Sequence, residues 1–351
     1  MEVYQQQRID LLLKRWESER RIGYPRVKPG PFNRISDVAG VKVGHVTLAD
    51  GAIQTGVSAI QPASHALFDE PLPCAAAVFN GFAKPVGLIQ IEELGLLQTP
   101  VLLGNTFAVG RMFSALVRHS CRENPAIGRE KPTVNPLVLE CNDGFLNDLQ
   151  AMAVTEDLAE SALAQVDTTF ERGSVGAGRG MSCFGLKGGI GTSSRIIPQL
   201  DATLGVLVLA NFGVLSQLTL DGVVIGDMMA PLLPNLAPQK DAGSIIMVMA
   251  TDAPLSARQL KRVAKRAGAG LGRLGSYWGH GSGDIAVAFS TKKQSVEWID
   301  DAMLEPMLCA AADAVEFAVL DALLEATPVQ GFCGHYRPAL SDVLDGLVKQ
   351  R

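Results

Sequence analysis

Disulfide and metal signatures are missing from this chain. Its six cysteines, Cys74, Cys121, Cys141, Cys183, Cys309 and Cys333, show no Cys-x-x-Cys spacing, and its five histidines include no His-x-x-x-His pair. In a chain of 351 residues, scattered cysteines read as small buried hydrophobes or free thiols, not as a disulfide framework. A metal site is unsupported, and no cofactor is expected. Charge is sparse: Asp, Glu, Lys and Arg make up 19%, and the formal net charge of −5 gives no electrostatic footprint for nucleic acid. No stretch reaches 18 uninterrupted apolar residues, and the first residues carry Arg8, Asp10, Lys14 and Arg15 instead of an apolar signal core. The expectation is a soluble cytoplasmic protein with no membrane partner. A Gly-x-Ser-x-Gly elbow and a Gly-Lys-Ser/Thr phosphate loop are absent too, which excludes a Walker A loop and weakens a standard serine hydrolase.

What the chain has is glycine, 36 residues of it, beside 47% hydrophobic content. Many positions therefore need unusual backbone angles or close approach of one segment to another. Residues 1–30 read as an N-terminal helix and linker, with Ile9, Leu12, Leu13 and Trp16 at helical spacing before the Pro/Gly-rich stretch from Tyr24 to Pro31. That helix either packs on a neighbouring subunit or docks loosely on its own chain. Residues 31–351 show no composition shift and read as one domain. Apolar strand-like runs fall at Val41–Val46, Ala75–Phe79, Val101–Leu103, Leu137–Glu140, Leu204–Ala210, Ser244–Thr251 and Ile285–Phe289. Helical patterns fall at Gly87–Leu94, Ala108–Val117, Leu146–Ala164, Ser256–Ala267 and Met303–Ala326. Strands apolar throughout are strands covered on both faces, so the mixture points to stacked sheets flanked by helices.

The junction Asp241-Ala242-Gly243-Ser244 stands out because the apolar run Ile245–Thr251 begins directly at the serine. Other Gly-Ser pairs at 173–174, 275–276 and 281–282 lack this. A cut between Gly243 and Ser244 would give one residue a hydroxyl nucleophile and a free α-amine base, at the edge of a rigid sheet. The bland alternative is an ordinary loop-to-strand turn.

Five further constellations invite a chemical reading. His280-Gly-Ser282-Gly-Asp284 precedes a strand; in extended chain Ser282 and Asp284 share one face, placed to orient a nucleophile, and His280 would complete a Ser/His/Asp set. Glu140-Cys-Asn142-Asp143-Gly144 ends a strand, where an acid and an amide would hold a substrate amine or simply form a turn. Asn211 ends another, where its amide would donate to an oxyanion. The glycine-dense Gly173–Gly180 segment lacks the strand and spacing of a dinucleotide loop and reads as close backbone packing around a site. Arg258, Arg262 and Arg266 at i, i+4 spacing read as a solvated helix face.

Together these blocks resemble the P1-type (DmpA-like) family of L-aminopeptidases/D-esterases and β-peptidyl aminopeptidases. The resemblance runs through Asn33-Arg-Ile-Ser-Asp-Val-Ala-Gly-Val-Lys-Val-Gly-His45, Asn80-Gly-Phe82, Ile89-Gln-Ile-Glu-Glu-Leu-Gly95 and Cys141-Asn-Asp-Gly-Phe-Leu-Asn147. It continues through Gly173-Ser-Val-Gly-Ala-Gly178, Gly188-Gly-Ile-Gly-Thr-Ser-Ser-Arg195 and Gly243-Ser-Ile-Ile246 to Thr251-Asp-Ala-Pro254. It implies an α/β fold, a four-layer α-β-β-α sandwich of the self-processing N-terminal-nucleophile style. Cleavage between Gly243 and Ser244 would divide the catalytic domain, 31–351, and yield chains 1–243 and 244–351. The implied roles make Ser244 the nucleophile, supported by Ser282 and Asp284, with Asn211 in the oxyanion hole and Glu140 and Asn142 at the substrate amine. The chain departs from well-known relatives in having Asp284 for glutamate, and from some in having Asn142 for tyrosine. The implied partner is a small peptide, amide or ester with a free amine, and the implied assembly is a homo-oligomer of paired chains. Two other readings stay open: an uncleaved, non-enzymatic assembly protein of the same fold, and an acyltransferase like the ornithine acetyltransferases. The latter typically use threonine, which counts against them here.

Overall fold

The computed structural model describes residues 2–234, 243–292 and 297–351; Pro238, Asp241 and Ala242 lie outside the described residues. A six-stranded sheet runs in the order Leu96–Leu97, Leu72–Gly81, Gly283–Ser290, Ser244–Thr251, Ala202–Asn211, Gly189–Ile197. Only Ser244–Thr251 and Gly283–Ser290 are parallel neighbours within it. A four-stranded sheet runs Lys42–Asp50, Ile53–Gln61, Val101–Asn105, Leu137–Cys141, its last two strands parallel.

Strand alternation sorts the residues into layers. Along Ser244–Thr251, Ile246, Val248 and Ala250 enter a core with Leu103, Leu139 and Cys141 of the other sheet. Ile245, Met247 and Met249 enter a second core with Leu260, Leu271, Ala311 and Val315. Those residues lie on the helices Ala257–Ala264, Ala267–Arg273 and Glu305–Leu324. On the far side, helices Val109–Glu123 and Glu156–Ala164 bring Met112, Leu116, Ala159 and Ala162 against Val57, Ala59, Leu102 and Val138. The result is helix, sheet, sheet, helix, as expected. Strand Ser244–Thr251 is buried at every position, which is why its sequence is apolar without alternation.

Several boundaries differ from the sequence expectation. The helix expected over Leu146–Ala164 occupies only Glu156–Ala164. Met152 takes a left-handed backbone at φ 46°, and the Thr155 hydroxyl caps the helix by accepting from Leu158 N. The Ser256–Ala267 pattern splits into Ala257–Ala264 and Ala267–Arg273, with Ser256 and Gln259 forming a capping box. Arg258 and Arg262 both pair with Asp301, so that face holds its own counter-ion. Strand Gly189–Ile197 escapes a hydrophobicity reading because Thr192, Ser193, Ser194 and Arg195 in it are buried polar residues. Each has a partner: Val206 O, Ala314 O, the Asp37 carboxylate and the Asp313 carboxylate. Arg195 and Asp313 form an ion pair whose side chains are 0% and 1% exposed. Asp313 also accepts from the Arg26 and Val27 amides, pinning the linker to the long helix. The N-terminal helix, Glu2–Glu19, buries Ile9, Leu12, Leu13 and Trp16 against its own chain. It packs on the C-terminal helix Leu340–Gln350, where Trp16 Nε1 donates to Asp345 at 2.8 Å. The face that the sequence offers to a neighbouring subunit is thus covered from within.

Candidate active site

Strand register sets three of the expected residues side by side. Ser244 pairs with Asn211 on its antiparallel neighbour and with Gly283 on its parallel neighbour. Alternation turns Ser244 and Asn211 toward the four-stranded sheet, on the same faces as Ile246 and Leu209. Ser244 is 5% exposed, and its Oγ accepts from Gly283 N at 3.1 Å. Behind it, Cys141 Sγ donates to Ser244 O at 3.4 Å. Burial, with the nearby Glu140 and Asp284 carboxylates, pushes the Cys141 thiol well up, so the sulfur keeps its proton and stays a donor.

Ser282 and Asp284 meet as the two-residue spacing requires: Ser282 Oγ donates to Asp284 Oδ1 at 2.5 Å. The same oxygen accepts from Ile245 N at 3.3 Å. The pair therefore reaches Ser244 through backbone, by way of the Ile245 amide that follows it and the Gly283 amide that lies between Ser282 and Asp284. His280 is exposed, and among the described residues it makes no hydrogen bond or ion pair with Ser244 or Asp284. The arrangement is not a Ser/His/Asp triad. Gly243 is a steric necessity: a Cβ there would lie 1.9 Å from the Asn211 carbonyl oxygen and 3.0 Å from Phe212 Cα.

The Asn211 amide is held at both ends. Its Oδ1 accepts from Ser182 N at 2.8 Å, and its Nδ2 donates to Asn142 O at 2.9 Å. Asn142 thus enters the site by its carbonyl, while its exposed side chain closes the expected turn by accepting from Gly144 N at 2.9 Å. Glu140 is 2% exposed. Its carboxylate accepts from Lys84 N at 2.8 Å and from the Thr106 hydroxyl. Alternation sends it to the opposite face from Cys141, so the carboxylate lies at the sheet's end beside the 82–84 loop and not beneath Ser244.

Sequence reasoning passed over two residues that hold this end of the sheet. Asp143 is 1% exposed and accepts from Thr55 Oγ1 at 2.5 Å and Asn147 Nδ2 at 3.1 Å. Burial pushes its carboxyl up to about 6 against those hydrogen bonds. Lys187 is fully buried, and its ammonium donates to the carbonyls of Gly178, Met181 and Gly188 at 2.8, 2.9 and 2.8 Å. The glycine-dense segment it binds is packed backbone to backbone, as expected. A Cβ at Gly180 would meet Gln54 O at 2.2 Å, and one at Gly188 would meet Ala210 O at 2.3 Å. The only hint in the sequence was a lysine inside an otherwise apolar Phe-Gly-Leu-Lys-Gly-Gly run.

Residues 33–337 match the model of Peptidase family S58. The chain belongs to this family. It is 36% identical over 355 residues to β-peptidyl aminopeptidase BapA of Sphingosinicella microcystinivorans, covering 90% of this chain and 87% of that protein. Among solved structures, the PH0078 protein of Pyrococcus horikoshii OT3 matches with a TM-score of 0.86 at 45% identity, over 94% of this chain and 96% of that one. The L-aminopeptidase D-Ala-esterase/amidase of Ochrobactrum anthropi matches with a TM-score of 0.84 at 33% identity over the same shares. That enzyme is described as a prototype for the serine aminopeptidases and as a new variant of the Ntn hydrolase fold. The S58 chain described here therefore shares that variant's layering, and the DmpA-like resemblance in its sequence holds along the whole catalytic fold. Among its described residues, no helix is long and apolar enough to cross a membrane.

Proposed function

We propose that this S58 peptidase is a self-processing serine aminopeptidase and amidase, releasing N-terminal residues from short peptides, amides or esters. The observation that carries the reading is the row Asn211–Ser244–Gly283, which sets an amide, a hydroxyl and a backbone donor at one end of the central sheet. In the continuous chain, Ser244 Oγ attacks the Gly243 carbonyl. The Gly243–Ser244 C–N bond breaks, the nitrogen takes the hydroxyl proton, and the resulting ester is hydrolysed by water. Gly243 then ends in a carboxylate and Ser244 begins with an amine.

An α-amine has an unperturbed pKa of about 7.7–8.0, so an appreciable fraction is free base near neutral pH. It takes the proton of its own hydroxyl as that oxygen attacks a substrate carbonyl, and returns it to the leaving amine. Asn211, paired with Ser244 across the strands, carries an amide Nδ2 group that serves the oxyanion. Ser282 and Asp284 hold the new N-terminus in line and favour its protonated form after attack. Glu140, desolvated at the sheet's end, takes the substrate's ammonium, and Asn142 shapes the same rim. The catalytic unit is residues 31–351, with 1–30 as a docked extension, in a cytoplasmic homo-oligomer of paired chains.

Denaturing mass analysis tests the cut. The expected products have 243 and 351 − 243 = 108 residues. A single 37.2 kDa species after long incubation would leave the uncleaved assembly protein as the better reading. Ser244→Ala should abolish processing and turnover of L-, D- and β-amino acid p-nitroanilides together. Turnover retained in that variant rejects the nucleophile.

A further inference from the structure

We propose that Lys187 is a positioning residue for catalysis, acting through the Met181–Ser182 peptide to fix the orientation of the Asn211 amide. The inference rests on the reading of Asn211 as oxyanion donor.

A primary amide side chain can sit in two orientations related by a half-turn, and only its partners choose between them. Here the chooser is Ser182 N–H, which can only donate, so Asn211 Oδ1 must face it at 2.8 Å. The NH2 group is then forced to the other side, where it donates to Asn142 O at 2.9 Å. Ser182 N–H belongs to the same planar peptide unit as the Met181 carbonyl. That carbonyl accepts twice, from Lys187 Nζ at 2.9 Å and from Gly188 N at 2.9 Å. Fixing the oxygen end of the plane fixes the N–H end. A carbonyl that accepts from an ammonium also makes the N–H of its own peptide a stronger donor.

The peptide is also held by the Met181 amide on Gly178 O at 3.3 Å and by Arg337 Nε on Ser182 Oγ at 3.1 Å, but Lys187 brings the charged donor to its carbonyl. The segment Gly173–Gly191 has glycine at positions 173, 176, 178, 180, 185, 188, 189 and 191, and glycine brings no side chain to hold a loop. Lys187 supplies three donors to three carbonyls, of Gly178, Met181 and Gly188, drawn from both flanks of the short Ser182–Cys183 and Leu186–Lys187 hairpin. Burial pushes its pKa well down, and Arg179 adds to that push. Against that push stand three carbonyl acceptors within 2.9 Å, which call for three N–H donors, and only the ammonium form supplies three.

A double-mutant cycle tests the route. Lys187→Met, Asn211→Ala and the double variant are compared for kcat and KM per cleaved chain, counting cleaved chains by mass. Lys187→Met is expected to lower kcat roughly 10- to 100-fold, the scale of a misplaced catalytic group, with KM within about 3-fold because ground-state binding is untouched. In the Asn211→Ala background the same change is expected to alter kcat by less than about 2-fold, since the amide it positions is gone. An equal fold-loss in both backgrounds, or a loss confined to KM, overturns the inference and leaves Lys187 a structural strut. If Asn211→Ala alone keeps full kcat, the oxyanion reading itself falls, and the role of Lys187 with it. Should Lys187→Met fail to fold, Lys187→Gln, which keeps two N–H donors on a shorter side chain, runs the same cycle with the same meaning.

Discussion

Asp143→Asn should make the protein relatively more stable as pH rises through the acid range. The parent carboxyl is buried between Thr55 and Asn147, and its pKa stands at about 6 against an ordinary 3.8. A carboxyl whose pKa is raised on folding binds more protons in the native state between those two values. Stability therefore falls as pH climbs through that window, and the loss is fully present above it. The difference of 6 − 3.8 corresponds to about 3 kcal/mol. Asparagine keeps an oxygen acceptor and gains a donor that suits the Thr55 hydroxyl, so it fits the same partners without the charge. Unfolding entropy near 2.1 cal/mol/K per residue makes 3 kcal/mol worth about 4 °C in a chain of this size. The assay is thermal melting of Asp143→Asn against parent, both carrying Ser244→Ala so that neither is cut. The Tm difference should shift by about 4 °C in favour of the variant between about pH 3 and pH 7. A difference that stays constant, or moves the other way, would show that burial does not set the charge state of Asp143.

Two further outcomes follow from buried charge. Arg195→Met leaves Asp313 with only the Arg26 and Val27 amides and should cost about 3–5 kcal/mol, read as a Tm drop of roughly 4–7 °C; an unchanged Tm refutes the claim that the pair holds the linker to the long helix. Asp284→Asn keeps Oδ1 as acceptor for Ser282 and Ile245 while removing the charge, so kcat per cleaved chain should fall roughly 10- to 100-fold with Tm within about 2 °C. Full kcat in that variant would show that Asp284 serves only to brace backbone.

The layering was legible because the strands that build it are apolar at every position. Ser244–Thr251 begins and ends where the sequence placed it. Gly189–Ile197 was not legible, because Thr192 to Arg195 satisfy their polar groups with partners 14 to 157 positions away, which no local pattern reveals. The site shows the same division. Ser282 and Asp284 lie two residues apart, so their shared face could be read from spacing alone, and the hydrogen bond between them fits it. Their link to Ser244 through the Gly283 and Ile245 amides needed the parallel register of two strands separated by 39 positions. Glu140 was identified by residue type at a strand end, yet alternation carries its carboxylate away from the face of Cys141. Lys187 was invisible because a buried lysine gives no periodic signal of its own.

A peptide bond at the mouth of a central strand also answers a difficulty that self-cleavage raises. A new chain end is normally free to fray, and a nucleophile that drifted by about 1 Å would lose much of its rate. Ser244 cannot drift far. Its strand is hydrogen-bonded on both sides, antiparallel to Ala202–Asn211 and parallel to Gly283–Ser290. Ile245, Met247 and Met249 are anchored in the helix-side core while Ile246 and Val248 are anchored between the sheets. Each fully buried side chain of this kind contributes about 1.5–3 kcal/mol, so pulling out even the first two residues is unfavourable by several kcal/mol. A cut just before this strand, as proposed, would therefore free the amine without freeing the residue that bears it.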